Sequence, residues 1–219
     1  MNVQEATTRR LPDLKERHLP ENCRETINTI LKETYGYEQF RNLEIYADLS
    51  KGKEKLCISQ GQLIENVILE AEKAWKGETQ VDNILLTAPT GSGKSLLFQL
   101  PAIYLGKEYN LLTIVVSPLK ALIVDQVESL QELGYMRVAY ASSDLSPEQK
   151  MEVYRQVREG EIDLFYLSPE LLLSYDIKHF VGERRIGLVV VDEAHTVTTW
   201  GKEFRVDYWF LGRYLTALK

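Results

Sequence analysis

A run of small residues at positions 88–95 has the composition of a phosphate-binding loop. Gly91 and Gly93 supply tight turns, which let successive backbone N–H groups point into one concavity. Lys94 would reach the β- and γ-phosphates of a nucleotide, and the Ser95 hydroxyl would ligate Mg²⁺. A glycine-rich turn that binds no ligand would not require the order Gly-Lys-Ser. We therefore predict a site for nucleotide phosphates at Ala88, Pro89, Thr90, Gly91, Ser92, Gly93, Lys94, Ser95 and Leu96, with Ala88 standing where glycine usually opens the pattern.

Two adjacent carboxylates follow an apolar run later in the chain. The run Leu188–Val191 ends in Asp192 and Glu193, so both side chains come directly after a predicted buried strand. In doubly wound folds, ligands bind at the carboxyl ends of parallel strands. Asp192 would hold Mg²⁺, and Glu193 would orient and deprotonate the water that attacks a γ-phosphate. The alternative interpretation is an acidic strand end that caps the following helix.

The elements that would position these residues alternate between strands and helices from about residue 80 onward. We predict strands at Ile84–Thr87, Leu112–Ser117, Arg137–Tyr140, Leu164–Leu167 and Leu188–Val191. Helical patterns between them cover Ser95–Tyr104, Leu119–Leu133 and Pro147–Glu159. This alternation predicts an α/β domain with a doubly wound parallel sheet that helices cover on both faces.

The N-terminal part of the chain has a different pattern. Asn22–Thr34 and Gly61–Trp75 carry helical periodicity, whereas Asp48–Lys55 is polar and charged and is typical of a surface loop. Glu78–Asp82 is a second polar connector. We predict a helical N-terminal extension with an insertion at residues 1–58, followed by the nucleotide-binding domain at 59–219.

Composition limits the classes of function. The 219 residues include 26 basic and 32 acidic side chains, which gives a formal net charge of −6. This charge argues against nucleic-acid binding through bulk electrostatics. It still allows a strand to be bound through local contacts. The two cysteines lack partners at metal-ligand spacing, which predicts reduced thiols and no zinc site. No apolar run approaches the ~18 residues that cross a bilayer, and Met1–Arg10 lacks the apolar stretch of a secretory signal. We expect an intracellular protein that does not enter membranes.

Taken together, these motifs resemble those of a known enzyme family. The phosphate loop in the form APTGSGKS, followed by DEAH at Asp192–His195, resembles superfamily 2 helicases. Four further segments are similar to the RecQ family in particular: 117–122 with 125–127 to its motif Ia, 166–170 to its YxSPE segment, 35–41 to the opening of its adenine motif, and 199–205 to its aromatic-rich loop. The resemblance implies a RecA-like P-loop NTPase domain, the first motor lobe of a helicase that uses ATP and Mg²⁺.

The resemblance also assigns roles to residues. Glu193, Lys94 and His195 would serve catalysis, with His195 coupling the aromatic-rich loop to Glu193. Tyr37, Arg41 and Gln62 would contact adenine, although the family's glutamine follows closely on its Phe-Arg pair and is here displaced by an insertion. Leu171 and Val206 also replace an arginine and a proline of the pattern. The implied nucleic-acid contacts are Ser117, Pro118, Lys120, Ser168, Pro169, Trp200, Lys202, Phe204 and Arg205.

The aromatic segment has an interpretation that does not depend on the family. Trp200 and Phe204 lie close in sequence to Lys202 and Arg205, which places stacking faces beside cations. Base–aromatic stacking is worth ~1–3 kcal/mol per base and tolerates any sequence. The alternative is that Trp200 and Phe204 cover the edge of the core. For Tyr208 and Trp209, on a predicted helix, core packing is the better interpretation.

The resemblance extends from about Leu31 to the C-terminus and includes no second strand–helix lobe. We therefore expect a second RecA-like lobe, in cis or in trans. The resemblance implies a 3′-to-5′ DNA helicase that binds single-stranded or partly duplex DNA, and we expect it in the cytoplasm, or in the nucleus of a eukaryote. One alternative is an RNA helicase or a translocase that does not unwind. Another is a nucleotide-switched, nucleic-acid-binding subunit of a larger assembly, such as a genome-defence complex.

Overall fold

The computed structural model describes residues 19–46, 55–86 and 91–194. Helices and strands alternate along most of this length. In chain order the elements are α1 (Glu25–Tyr35), β1 (Asn42–Tyr46), β2 (Lys55–Ser59), α2 (Gln60–Trp75), α3 (Leu96–Tyr109), β3 (Leu112–Val116), α4 (Lys120–Glu132), β4 (Val138–Ala141), α5 (Pro147–Arg158), β5 (Leu164–Leu167), α6 (Pro169–Leu173), α7 (Ile177–Val181) and β6 (Ile186–Val191).

The central sheet is parallel throughout its described strands, in the order β4–β5–β3–β6. Its side chains alternate between two hydrophobic cores, as strand geometry requires. Val115 and Tyr166 enter the core that α1–α4 cover, whereas Ile114 and Phe165 enter the core that α5 and α7 cover. The predicted doubly wound α/β class is therefore confirmed.

One predicted strand is wrong in its described part. Residues 84–86 form no strand, and Thr87 lies outside the described residues. Apolar composition favours a strand only where the side chains are buried and the backbone is paired, and Leu85 is 63% exposed. The other predicted strands agree with β3–β6 to within two residues, and the predicted helices agree with α1–α5, although α3 continues to Tyr109.

The insertion in the N-terminal part contains a hairpin that the polar pattern did not predict. Strands β1 and β2 pair antiparallel, with Asn42 opposite Ser59 and Tyr46 opposite Lys55. The predicted surface loop Asp48–Lys55 is wrong at Lys55, which begins β2, and residues 48–54 lie outside the described residues. Alternation over five residues per strand was too short a signal beside the many charged neighbours.

A buried ion-pair network ties together the amino-terminal edge of the sheet. Asp163, which directly precedes β5, is fully buried. It accepts hydrogen bonds from Arg137 (2.6 Å), Arg184 (3.0 Å) and the Tyr135 hydroxyl (3.0 Å). Gly106 of α3 packs so closely that a Cβ there would lie 2.3 Å from the Asp163 Cγ, so any side chain at position 106 would displace the network.

The N-terminal segment is anchored to the same core. The Arg24 guanidinium, just before α1, pairs with Glu65 at 2.6 Å and Glu72 at 2.7 Å, both on α2. Burial acts to raise the pKa of Glu72, but the hydrogen bonds from Arg24, Tyr109 and Tyr104 together with the charge of Arg24 outweigh it, and the pKa lies below its ordinary value. Helix α1 therefore shares a core with α2 and α3, and the predicted boundary at residue 58 stays a prediction. Within the described ranges, no helix has the length and apolar character needed to span a membrane.

Removing the Asp163 carboxylate should destabilise the protein strongly. Asp163→Ala leaves Arg184, whose side chain is 4% exposed, without its counter-ion. Breaking a buried pair by removing one partner costs about 3–5 kcal/mol. We expect the free energy of unfolding, measured by urea denaturation and circular dichroism, to fall by that amount. Glu152→Ala, which removes an exposed partner of Arg155, is the matched control and should change it little. Equal effects of the two substitutions would contradict the assignment.

Candidate functional site

The carboxyl ends of the four parallel strands form one edge of the sheet. The pairing places Val191, Val116, Leu167 and Ala141 in one row across it. Asp192 N–H donates to the Val116 carbonyl at 2.9 Å, and Ser117 N–H donates to the Leu167 carbonyl at 3.0 Å. The residues that follow the strands therefore lie side by side, which brings three predicted site residues together, namely Asp192, Ser117 and Ser168.

The described part of the predicted phosphate loop is a turn that leads into a buried helix. Gly91 and Gly93 have φ angles of 79° and 76°, in the left-handed region that favours glycine. Helix α3 starts at Leu96, directly after Lys94 and Ser95, and is 14 residues long. The N–H groups of Leu96, Leu97 and Phe98 already donate to the carbonyls of Gly93, Lys94 and Ser95. What α3 offers the loop is therefore the positive end of its dipole, which favours anions. Ala88, Pro89 and Thr90 lie outside the described residues.

Gln60 contacts this loop and was not singled out from the sequence. It is 2% exposed, and its Nε2 donates to the Ser92 carbonyl at 3.0 Å. A Cβ at Gly93 would lie 2.7 Å from the same Nε2. Two features therefore require glycine at position 93, namely its positive φ angle and the short distance to the Gln60 side chain. No feature of the sequence distinguished Gln60 from Gln62 beside it.

The hairpin β1–β2 returns the chain to the place where it left the adenine-motif segment. Arg41 precedes β1, and Gln60 follows β2. Gln60 N–H donates to the Arg41 carbonyl at 2.9 Å, and Arg41 N–H donates to Gln60 Oε1 at 3.1 Å. The backbone on either side of the insertion is thus joined, although the insertion separates Arg41 and Gln60 in sequence.

The other two residues predicted to contact adenine, Tyr37 and Gln62, have different environments. Tyr37 is half exposed and stacks on Tyr35, with ring centroids 6.4 Å apart. Gln62 completes the capping box of α2, since its Oε1 accepts from Ser59 N–H at 3.0 Å while its Nε2 donates to the Pro20 carbonyl at 3.1 Å. A contact between Gln62 and adenine stays a prediction.

The acidic motif has an uncommon backbone conformation. Glu193 has a φ of 50°, and its N–H donates to Asp192 Oδ1 at 2.9 Å. A residue other than glycine at positive φ costs conformational energy, and such residues concentrate at functional sites. The Asp192 Oδ2 accepts from Gln126 Nε2 at 3.2 Å, so both carboxylate oxygens have partners. His195 lies outside the described residues.

Hydrogen bonds also connect the start of α3 to the acidic motif. Gln99 lies in the first turn of α3, where its N–H donates to the Ser95 carbonyl. Its Nε2 donates to the Tyr166 hydroxyl at 3.2 Å; Tyr166 donates to Gln126, and Gln126 donates to Asp192. The phosphate loop and the carboxylates therefore lie at the same edge of the sheet.

The predicted nucleic-acid contacts differ in accessibility. Ser117, Pro118 and Pro169 are buried, and Ser168 caps α6 by accepting from Leu171 N–H at 3.3 Å. Lys120 is exposed; it pairs with Asp144 at 2.9 Å and also donates to the Ser143 hydroxyl. The hydrogen bond from Lys120 holds the pKa of Asp144 below its usual value. Trp200, Lys202, Phe204 and Arg205 lie outside the described residues.

The donor set at the edge suits a hard cation held together with a polyanion. The Ser95 hydroxyl and the Asp192 carboxylate, both predicted metal ligands, offer oxygen atoms, which Mg²⁺ prefers. Within residues 19–46, 55–86 and 91–194, no group of three or more His, Cys, Asp or Glu side chains could hold a metal ion alone. Mg²⁺ bound by one or two protein oxygens usually completes its coordination with phosphate and water.

Comparisons with known proteins agree with this geometry. A family model described as "DEAD/DEAH box helicase" matches residues 63–216. The chain is 30% identical over 187 residues to the "ATP-dependent DNA helicase RecQ" of Haemophilus influenzae, across 85% of this chain and 25% of that protein. It is 34% identical over 191 residues to the protein of the same name from Synechocystis, across 86% of this chain and 33% of that protein. It thus spans about a quarter to a third of the length of these curated relatives.

A crystal structure of the DUF1998 helicase MrfA bound to DNA superposes with a TM-score of 0.49 and 22% identity, across 82% of this chain and 21% of that chain.

Two glycine substitutions test the contact between Gln60 and the loop. Gly91→Ala and Gly93→Ala both place a side chain at positive φ, which costs roughly 1–2 kcal/mol. Among the residues that the structure describes, none has an atom within 4 Å of a Cβ at position 91, whereas a Cβ at position 93 meets Gln60. We therefore expect Gly93→Ala to lower the free energy of unfolding more than Gly91→Ala, by urea denaturation. Adding Gln60→Ala should narrow that difference, and an unchanged difference would contradict the contact.

Proposed function

The chain belongs to the DEAD/DEAH box helicase family, and from this premise we propose that it is the ATP-binding motor lobe of a RecQ-like DNA helicase. In this proposal, ATP hydrolysis drives movement along single-stranded DNA and unwinding in the 3′-to-5′ direction. The observation that carries the proposal is the connection of α3, which follows Lys94 and Ser95, to Asp192 at the carboxyl edge of the sheet. In the proposal, two chemical requirements of phosphoryl transfer, a turn that binds anions and a pair of carboxylates, are met at this edge.

Each residue of this edge has a proposed part in ATP hydrolysis. The loop Gly91–Ser95 and the start of α3 bind the phosphates, with Lys94 contacting the β- and γ-phosphates. Ser95 and Asp192 hold Mg²⁺, which supplies charge neutralisation when bound. Glu193 orients the attacking water and accepts its proton. Its strained backbone, joined to Asp192 by the 2.9 Å hydrogen bond, supports a role that depends on fixed orientation.

Nucleotide recognition and DNA binding extend this proposal to neighbouring segments. Tyr37 and Arg41 contact adenine beside the loop, and Gln60 fixes the position of Arg41 relative to Ser92. Lys120, at the start of α4, contacts the DNA backbone once it exchanges Asp144 for phosphate. Because the net charge is −6, binding depends on such local contacts and on stacking, for which Trp200 and Phe204 remain the proposed residues.

The proposal includes a second RecA-like lobe that completes the motor. The similar helicases are three to four times as long as the matched part, judging by the 25–33% of their length that is covered. An arginine supplied from outside the site can be worth ~10³–10⁵ in rate in related phosphate-loop enzymes. We therefore expect this chain alone to bind ATP weakly and hydrolyse it slowly. Its proposed location is the cytoplasm, or the nucleus of a eukaryote.

Lys94→Ala tests phosphate binding. Loss of a charged contact of 1.5–3 kcal/mol corresponds to a fall in affinity of roughly tenfold or more. We expect this fall for a fluorescent ATP analogue titrated with the chain in Mg²⁺. Lys107→Ala is the control, because it changes an exposed lysine in the last turn of α3, and it should leave the affinity for the analogue unchanged. If both variants bind as the wild type does, the phosphate-loop assignment is wrong.

Glu193→Gln tests the catalytic role. Loss of a general base typically costs ~10²–10⁴-fold in rate. We expect phosphate release in the presence of single-stranded DNA to fall by that factor, while affinity for the ATP analogue is retained. Glu128→Gln, on an exposed face of α4, serves as the control.

Retained turnover in Glu193→Gln would assign the base to another residue.

The kind of nucleic acid that stimulates ATP hydrolysis by the wild-type chain distinguishes a DNA helicase from the alternative functions. Stimulation by single-stranded RNA alone would favour an RNA helicase, and hydrolysis without response to either strand would favour a nucleotide-switched subunit.

A further inference from the structure

A chain of four hydrogen bonds crosses the interior of the domain from α1 to Asp192. The Tyr35 hydroxyl donates to Gln99 Oε1 at 2.9 Å, and Gln99 Nε2 donates to the Tyr166 hydroxyl at 3.2 Å. Tyr166 donates to Gln126 Oε1 at 3.0 Å, and Gln126 Nε2 donates to Asp192 Oδ2 at 3.2 Å. Four side chains, each from a different element, thus lead to one carboxylate.

The carboxylate sets the direction of every bond in this chain. An ionised carboxylate only accepts hydrogen bonds, so Gln126 must present its NH₂ group to Asp192 and its carbonyl oxygen to Tyr166. Tyr166 has a single hydroxyl proton, which it donates to that oxygen, and its own oxygen then accepts from Gln99. All donors consequently point towards Asp192, and one orientation of each amide satisfies the chain.

The middle of the hydrogen-bond chain is protected from water, whereas Tyr35, Gln126 and Asp192 are half-buried. Tyr166 is fully buried and Gln99 is 5% exposed. Burial raises the pKa of Tyr35 and of Tyr166, so both phenols remain protonated donors. A buried polar network of this kind holds its members in place, because leaving a buried donor or acceptor without a partner costs ~1–3 kcal/mol.

We propose that Gln126 is a positioning residue, which holds the Asp192 carboxylate in the orientation that binds Mg²⁺. The inference rests on the proposed function, in which Asp192 is a metal ligand. Glu193 N–H fixes one oxygen of Asp192 and Gln126 fixes the other. Donors that hold a metal ligand in place typically account for 10–100-fold in metal affinity.

Gln126 also connects the proposed metal ligand to the segment that is proposed to contact DNA. Gln126 lies on α4, which begins at Lys120, a proposed contact of the DNA strand. The segment from Ser117 to Lys120 and the amide that holds Asp192 therefore belong to one continuous stretch of chain. A displacement of α4 along or about its axis moves the Gln126 amide relative to Asp192.

Gln126→Met tests the proposal, because methionine has a similar length and removes both amide groups. The chain is mixed with a fluorescent ATP analogue, and Mg²⁺ is titrated from zero. We expect the Mg²⁺ concentration that gives half-maximal binding to rise about tenfold or more. Affinity for the analogue in EDTA should remain that of the wild type, since the phosphate loop is unchanged. A purely structural role for Gln126 would weaken both measurements together and would overturn the proposal.

Two further variants define the specificity of the effect. Gln131→Met makes the same chemical change on the same helix, where the side-chain amide donates to the Val138 carbonyl at 3.5 Å, and should leave the Mg²⁺ midpoint unchanged. Tyr166→Phe removes the hydroxyl that orients Gln126 and should raise the midpoint by a smaller factor. The double variant with Gln126→Met should show no further rise, because both substitutions break the same chain.

The outcomes separate this inference from the proposed function. An unchanged Mg²⁺ midpoint in folded Gln126→Met overturns the inference alone, provided that the wild type binds the analogue with Mg²⁺ dependence. If Gln126→Met does not fold by circular dichroism, the Tyr166→Phe midpoint decides in the same way. Absence of binding, or binding that is independent of Mg²⁺ in the wild type, overturns the proposed function and with it the role of Asp192.

Discussion

The pairing of β3 with β5 on one side and with β6 on the other is the constraint on which the site depends. This pairing sets Val116, Leu167 and Val191 in one row, so that the residues after each strand emerge together. The backbone bond from Asp192 to the Val116 carbonyl carries the row one residue beyond β6. A shift of one residue in either register would turn alternate side chains to the opposite face. The packing of the two hydrophobic cores fixes this register, and the register in turn fixes the positions of Asp192 and Glu193.

The two edges of the sheet have different chemistry. At the amino edge, Asp163 is paired with Arg137 and Arg184 in a closed network that neutralises its charge. At the carboxyl edge, Asp192 receives amide donors of no net charge from Gln126 and the Glu193 backbone. Two guanidinium groups balance the charge of Asp163, whereas the two amide donors at Asp192 orient its carboxylate oxygens. Substitutions at the amino edge should change the free energy of unfolding, and those at the carboxyl edge should change the proposed binding of nucleotide and metal.

Much of the fold and part of the site were predictable from the sequence. Strand–helix alternation after residue 80 identified four strands, because buried parallel strands have continuous apolar runs such as Leu164–Leu167. The predicted phosphate loop and Asp192 could be singled out because the chemistry expected of them demands particular residue types at particular spacing. Gln60, Gln99 and Gln126 were not found, because a glutamine is as common on a solvated helix as in a buried chain. Their roles follow from three-dimensional proximity between residues as far apart in sequence as 126 and 192. The strand at 84–86 failed for the same reason, since apolar composition cannot specify a pairing partner.

The closed base of the hairpin β1–β2 has an implication for how this lobe can vary. Because Asn42 and Ser59 face each other and Gln60 bonds to Arg41 in both directions, the chain leaves and re-enters the nucleotide side of the domain at one point. The length and composition of whatever lies between the two strands are thereby uncoupled from the geometry of the phosphate loop. Natural variants can lengthen, shorten or change the charge of this segment without moving Gln60 or the turn at residues 91–95. The same independence makes the hairpin a suitable place to graft an affinity tag or a fluorescent reporter.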